Sequence, residues 1–220
     1  MTTNNPRHYR WFDVLIMNVS KCIQTVHHLP NQHNNQNRPS PSAPLPQSEL
    51  SEQEKKHSAA LMRVNHTGEV CAQALYLGQS LTARSKNIRA AFSQAAQEES
   101  DHLNWCRLRI NELGGHTSYL NPLWFTGSLF IGTVAGLFGD KWSLGFLAQT
   151  EHQVSEHLAN HLKTLSQHDL CSLKIVEQMR IEETQHKETA ILHGAATLPQ
   201  PVTWTMQCLA KVMTTVTYYV

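Results

Sequence analysis

Two copies of one short pattern, Glu99-Ser-Asp-His102 and Glu183-Thr-Gln-His186, constrain this chain more than anything else in it. Three residues along an α-helix is about 300° of turn, so each Glu and His project from a single face. One such pair is common on a solvated surface. Two, on separate helices, point to a metal bundle, which then needs one more carboxylate from each of two further helices. Glu69, in RVNHTGEV, and Glu151, between SLGFLAQT and the apolar face of Val154, Leu158 and Leu162, fill those places. A carboxylate on a core-facing stripe is costly to bury unless it binds something. Glu69 to Glu99 is 30 residues and Glu151 to Glu183 is 32, so the chain reads as two helical hairpins about a pseudo-twofold axis. Four carboxylates and two imidazoles make a hard, open ligand set that suits iron or manganese and disfavours a closed zinc site. Glu99 and Glu183 would bridge the two ions, with Glu69, Glu151, His102 and His186 as terminal ligands.

The remaining histidines take plainer readings. His66, three before Glu69, is a seventh candidate for six places and is expected beside the ligand set or at the surface. His157 lies six after Glu151, about 120° around an ideal helix, and reaches the metals only if a π-bulge rotates it. His152, His161 and His168 are expected in solvent. Glu98 and Glu182 adjoin the ligands but point about 100° away, as surface charges.

Helical texture runs almost throughout from Ser48. Helices are expected over about 48–81 and 87–113, the second closed by Gly114-Gly115. A third starts near Pro122, and a fourth, capped by Asp140, reaches Leu165. A fifth covers 169–193 and stops at Gly194, and a last follows Pro199 and Pro201 with the stripe Val202, Met206, Leu209, Met213, Val216, Val220. No segment alternates at period two, so the fold is all-α. Residues 1–30 read as an amphipathic segment through Trp11, Leu15, Val19, Cys22 and Val26, and residues 31–47, NQHNNQNRPSPSAPLPQ, as a disordered linker. The folded domain is 48–220.

Lys+Arg 18 against Asp+Glu 17 leaves a formal charge of +1, which offers no basic field for nucleic acid. Five scattered cysteines with no CxxC pair fit a reducing compartment. Residues 122–139, PLWFTGSLFIGTVAGLFG, are uncharged, and the tail from Ala195 carries only Lys211. The first run sits at the threshold for a span, but its four glycines and the following Asp140-Lys141 argue against one. Together the two stretches suggest a protein lying on a membrane surface.

RVNHTGE, EESDHL, the apolar helix leading to TEHQVSEHL, and EETQH closely resemble the demethoxyubiquinone hydroxylases of ubiquinone biosynthesis, over about residues 50–220. The resemblance implies a ferritin-like four-helix bundle with a di-iron centre and additional apolar, membrane-associated helices. It implies a monooxygenase that uses O2 to hydroxylate a polyprenyl methoxy-methyl-benzoquinol, 3-demethoxyubiquinol, from the cytoplasmic face of the inner membrane. One oxygen atom enters the ring and the other leaves as water. All six family ligand positions are filled, at Glu69, Glu99, His102, Glu151, Glu183 and His186, and His157 matches a histidine just outside the ligand set. Some members follow that histidine with a tyrosine, where this chain has Leu158, so no role of that tyrosine carries over. Other ubiquinone-biosynthesis proteins and a homo-oligomer are partners the resemblance leaves open. Two rival readings remain at this stage: a ferritin-like ferroxidase or peroxide scavenger, and a helical scaffold without metal.

Overall fold

The computed structural model describes residues 38–47 and 49–220, so the amphipathic segment expected over 1–30 lies outside the described residues. Six helices and no strand are present among them: α1 (Glu52–Thr82), α2 (Lys86–Glu112), α3 (Asn121–Leu137), α4 (Asp140–Thr164), α5 (Leu170–Leu192) and α6 (Gln200–Tyr219). Their starts and stops follow local chemistry. Ser51 and Glu54 form a reciprocal capping box that begins α1 three residues after the expected Ser48. Gly114 and Gly194 take φ of 72° and 90° just past α2 and α5, where a side chain would be strained. Asp140 does not cap its own helix. Its carboxylate accepts from the backbone N–H groups of Arg84 and Ser85 at 2.9 and 2.8 Å, tying the α1–α2 turn to the start of α4.

Helices α1 and α2 form one antiparallel hairpin, α4 and α5 the other. Two apolar clusters fill the bundle between them. One gathers Met62 of α1, Trp105 and Ile110 of α2, Leu158 of α4 and Met179 of α5. The other gathers Tyr76, Phe92, Leu147 and Ala190 from the same four helices. On every helix the predicted ligand lies between its two apolar contributions, so the carboxylates form a polar layer between two apolar plugs.

The uncharged stretch becomes α3, which lies along α1 in near backbone contact. A Cβ added at Gly132 would sit 2.2 Å from the Leu75 carbonyl oxygen, and one at Gly78 would meet the backbone of Leu129 and Thr133 at 2.5 Å. Gly132 and Gly136, two of the four glycines in the apolar run, therefore form with Gly78 the surface on which the two helices meet. Among the described residues no helix is long and apolar enough to cross a membrane. Gly132→Val is expected to lower stability by about 3 kcal/mol through overpacking, read as a lower denaturant midpoint at unchanged slope.

Residues 31–37 of the Pro-rich stretch lie outside the described residues, and residues 38–47 depart from their expected disorder. They lie on the bundle, where the Trp105 indole N–H donates to the Arg38 carbonyl at 3.1 Å. Gln47 Oε1 accepts from Arg109 at 2.8 Å, and Arg109 is itself paired with the fully buried Asp169 at 2.7 Å. Few apolar residues are buried there. Hydrogen bonds and a guanidinium over an indole hold the segment, which an argument from apolar content does not count.

Candidate metal centre

The six predicted ligands are carried to the bundle centre by four helices: Glu69 by α1, Glu99 and His102 by α2, Glu151 by α4, and Glu183 and His186 by α5. Glu69, Glu99, His102, Glu151 and Glu183 are at most 2 % exposed, and His186 is half-buried. Two sets of donor atoms converge within 4.8 Å: Glu69, Glu99, His102 and Glu183 in one, Glu99, Glu151, Glu183 and His186 in the other. Glu99 and Glu183 belong to both. Nδ1 of His102 lies 3.0 Å from Glu99 Oε2 and 3.1 Å from Glu183 Oε1, and Nδ1 of His186 lies 3.3 Å from both Glu183 Oε2 and Glu99 Oε1. A single N–H cannot satisfy two carboxylates. Glu99 Oε1, Glu151 Oε1 and Glu183 Oε1 accordingly accept no hydrogen bond, although all three are buried. Orphaned anionic oxygens of this kind call for a cation.

Protonation tells the same story. Burial, with Glu99 and Glu183 adding repulsion, raises Glu69 well above the ordinary carboxylate range, and burial with Glu183 does the same to Glu151. Burial also opposes ionisation of Glu99, but His102 and His186 outweigh it and hold that carboxyl low. Glu183 is lowered too, against burial and Glu99, by the same two rings. The imidazoles, disfavoured as cations by burial, are raised in return: His102 well above its usual value, mainly by Glu99, and His186 to about 12 by Glu183 and Glu99. With protons alone to balance it, the cluster holds two carboxylates and two imidazolium rings, plus two neutral carboxyls. Two divalent ions would carry the same compensating charge as those protons. The residues present fit a two-ion site.

Residues 55–217 match the family described as Ubiquinone biosynthesis protein COQ7. A 3-demethoxyubiquinol 3-hydroxylase of Dechloromonas aromatica is 58 % identical over 181 residues, 82 % of this chain and 87 % of the relative. Another of that name, from Pseudomonas fluorescens SBW25, is 50 % identical over 218 residues, 99 % of each chain. A third, from Nitrosomonas europaea, is 55 % identical over 183 residues, 83 % of this chain and 88 % of its own length. The chain belongs to the COQ7 family.

This COQ7-family chain also uses residues that the spacing argument set aside. Glu182 Oε2 accepts from His102 Nε2 at 2.7 Å, and Glu98 Oε2 accepts from His186 Nε2 at 2.8 Å. Both acids reach across to the other hairpin. A turn of 100° takes them off the ligand face of their own helix and toward the histidine of the neighbouring one. The surface reading of Glu98 and Glu182 is therefore corrected: they fix which nitrogen of each imidazole faces inward. The signal was present in the sequence as a doubled Glu-Glu-x-x-His.

The other histidines separate. His152 and His168 are exposed, as expected, and His66 is buried. His161 is 7 % exposed rather than solvated. Near it His57 of α1 reaches the Thr164 carbonyl at 3.2 Å and Tyr218 of α6 at 2.7 Å, so three helices meet at this end of α4. His157 stands edge-on to His161, ring centres 3.9 Å apart, and is not among the donors grouped at the centre. Helix α4 is regular through Glu151 and His157, so no π-bulge turns it inward. Burial lowers His157 to about 4 and His161 to about 3, which keeps both rings neutral at physiological pH.

Outside the layer, a cavity of about 660 Å³ runs along the α2–α5 seam. Phe92, Leu144, Leu147 and Ala190 give it an apolar wall, and Glu98, Glu182 and His186 border it.

Proposed function

We propose that this chain is a monooxygenase of ubiquinone biosynthesis that hydroxylates the ring of 3-demethoxyubiquinol, a polyprenyl methoxy-methyl-benzoquinol, at two iron ions. The observation that carries this reading is the pair of buried donor sets sharing Glu99 and Glu183, in a chain whose relatives are named for that hydroxylation. Glu69 and His102 would complete one ion, and Glu151 and His186 the other. When bound, the iron supplies the O2 chemistry, with one atom entering the ring, the other leaving as water, and an external donor providing two electrons.

The chain's own residues do the rest. Glu98 and Glu182 hold the outer N–H of each histidine, so that Nδ1 points inward as a donor. The apolar clusters on either side of the polar layer keep water from it. We place the protein on the cytoplasmic face of the inner membrane. Supporting that placement, α3 and α6 expose Leu123, Phe130, Leu137, Trp204, Leu209 and Val212, an apolar surface suited to guiding a polyprenyl tail. The ferroxidase and peroxide-scavenging alternative finds no counterpart among these relatives' names.

Anaerobic loading with Fe(II), followed by quinol and isotopically labelled O2, tests the reading. Near two irons per chain and one labelled atom in the product are expected. Iron that oxidises without touching the quinol would favour the ferroxidase, and a folded chain that takes up no iron would favour the scaffold.

A further inference from the structure

The centre is built with near-twofold symmetry, and one residue breaks it. On each half a glutamine donates to an acid four residues later, and that acid receives the opposite hairpin's histidine. Gln94 donates to Glu98 at 3.0 Å and Glu98 faces His186, while Gln178 donates to Glu182 at 2.7 Å and Glu182 faces His102. Among the described residues only the second chain of contacts continues. Arg38, from the segment preceding α1, sets both terminal nitrogens on Glu182, with Nη1 and Nη2 each 2.8 Å from a carboxylate oxygen. Its Nε donates to Asp101 at 2.6 Å, and its guanidinium lies 4.8 Å from the Trp105 ring centre. Trp105 in turn packs against His102, ring centres 5.3 Å apart. The result is visible in exposure: the Glu182 side chain is 13 % exposed and His102 is fully buried, whereas Glu98 is 41 % and His186 15 % exposed.

Resting on the two-ion reading above, we propose that Arg38 is a positioning residue that makes the two metal positions unequal. A bidentate guanidinium fixes a carboxylate in orientation as well as place, which a single lysine charge or water does not. Glu182 held in this way holds His102, and the Glu69–His102 position becomes the rigid, tightly binding one. Among the described residues Glu98 has no such clamp and is the more exposed of the two acids, so the Glu151–His186 position is the looser, more exchangeable one. The Pro-rich segment thus completes half of the centre from outside the bundle.

Titration of the full-length apoprotein with Co(II), followed by visible absorption, reads the two positions without relying on turnover. The unsubstituted chain is expected to take two equivalents with distinct affinities. Arg38→Met should weaken the tighter step by roughly 10- to 100-fold and leave the weaker one in place. Arg38→Lys should fall between the two, and Glu98→Gln should weaken the other step. In a Glu182→Gln background, Arg38→Met should add little, because its effect passes through that carboxylate. Equal weakening of both steps, no change in either, or full additivity with Glu182→Gln would overturn the proposal. Fewer than two equivalents in the unsubstituted chain would instead overturn the two-ion reading, and this inference with it. Far-ultraviolet circular dichroism of each apoprotein separates these results from loss of fold.

Discussion

Glu183→Ala is expected to abolish stable binding at both metal positions while leaving the helices intact. Glu183 is the residue through which the two donor sets meet, together with Glu99, and it faces Nδ1 of both histidines. Truncation leaves one shared carboxylate where two are needed and removes a negative charge from a layer 1 % exposed at that point. Alanine is the best helix former and Glu183 sits inside α5, so helix content should hold. Removing a residue outside the ligand set costs about 10- to 100-fold in metal affinity or activity, and a shared ligand should cost more than the top of that range. Iron per chain after anaerobic loading, beside circular dichroism, gives the answer. Two retained irons with undiminished hydroxylation would sink the ligand assignment.

The second large effect is on pH. Glu69 and Glu151 are raised, as are His102 and His186, so all four carry protons near neutrality when no cation competes. Ligation requires each of them to lose one. Loading two divalent ions should therefore release protons, four at most, and binding should tighten as the pH rises. The sign is fixed by the direction of the shifts: groups with raised values hold their protons at neutrality, so acid opposes metal and alkali favours it. The dependence should weaken as the pH passes the raised values one by one, that of His186 lying at about 12. Proton uptake or release in weakly buffered solution during a metal titration measures the stoichiometry. Release of one proton or none would mean that the cluster is already ionised and that its charge is balanced in some other way.

The doubled Glu-x-x-His and the two lone glutamates were legible because helical spacing alone fixes which side chains share a face. Helix order was legible for the same reason, with glycine and proline marking the ends. Glu98 and Glu182 were not. Their partners lie on the other hairpin, and periodicity along one helix does not report what stands opposite. Arg38 was hidden more deeply, since a stretch rich in proline, asparagine and glutamine looks unable to order itself. It is held by a few strong directional contacts to Asp101, Glu182 and Trp105 rather than by apolar area. His161 was misplaced because its burial depends on packing between helices, which spacing along one helix does not report, and Asp140 because its N–H partners belong to the turn before α2. The glycines of the apolar run weakened the case for a membrane span, but only the approach of α1 shows what Gly132 and Gly136 are for.

The crossing of Glu98 and Glu182 between hairpins bears on when such a protein can be loaded. The first hairpin leaves the ribosome with Glu69, Glu99 and His102, but the fourth donor for that position is Glu183, and the acid that steadies His102 is Glu182. A nascent chain therefore has no finished half-site to offer a passing ion. Metallation would then wait until α5 is made, and a product cut short before α5 would emerge without a complete donor set for either ion.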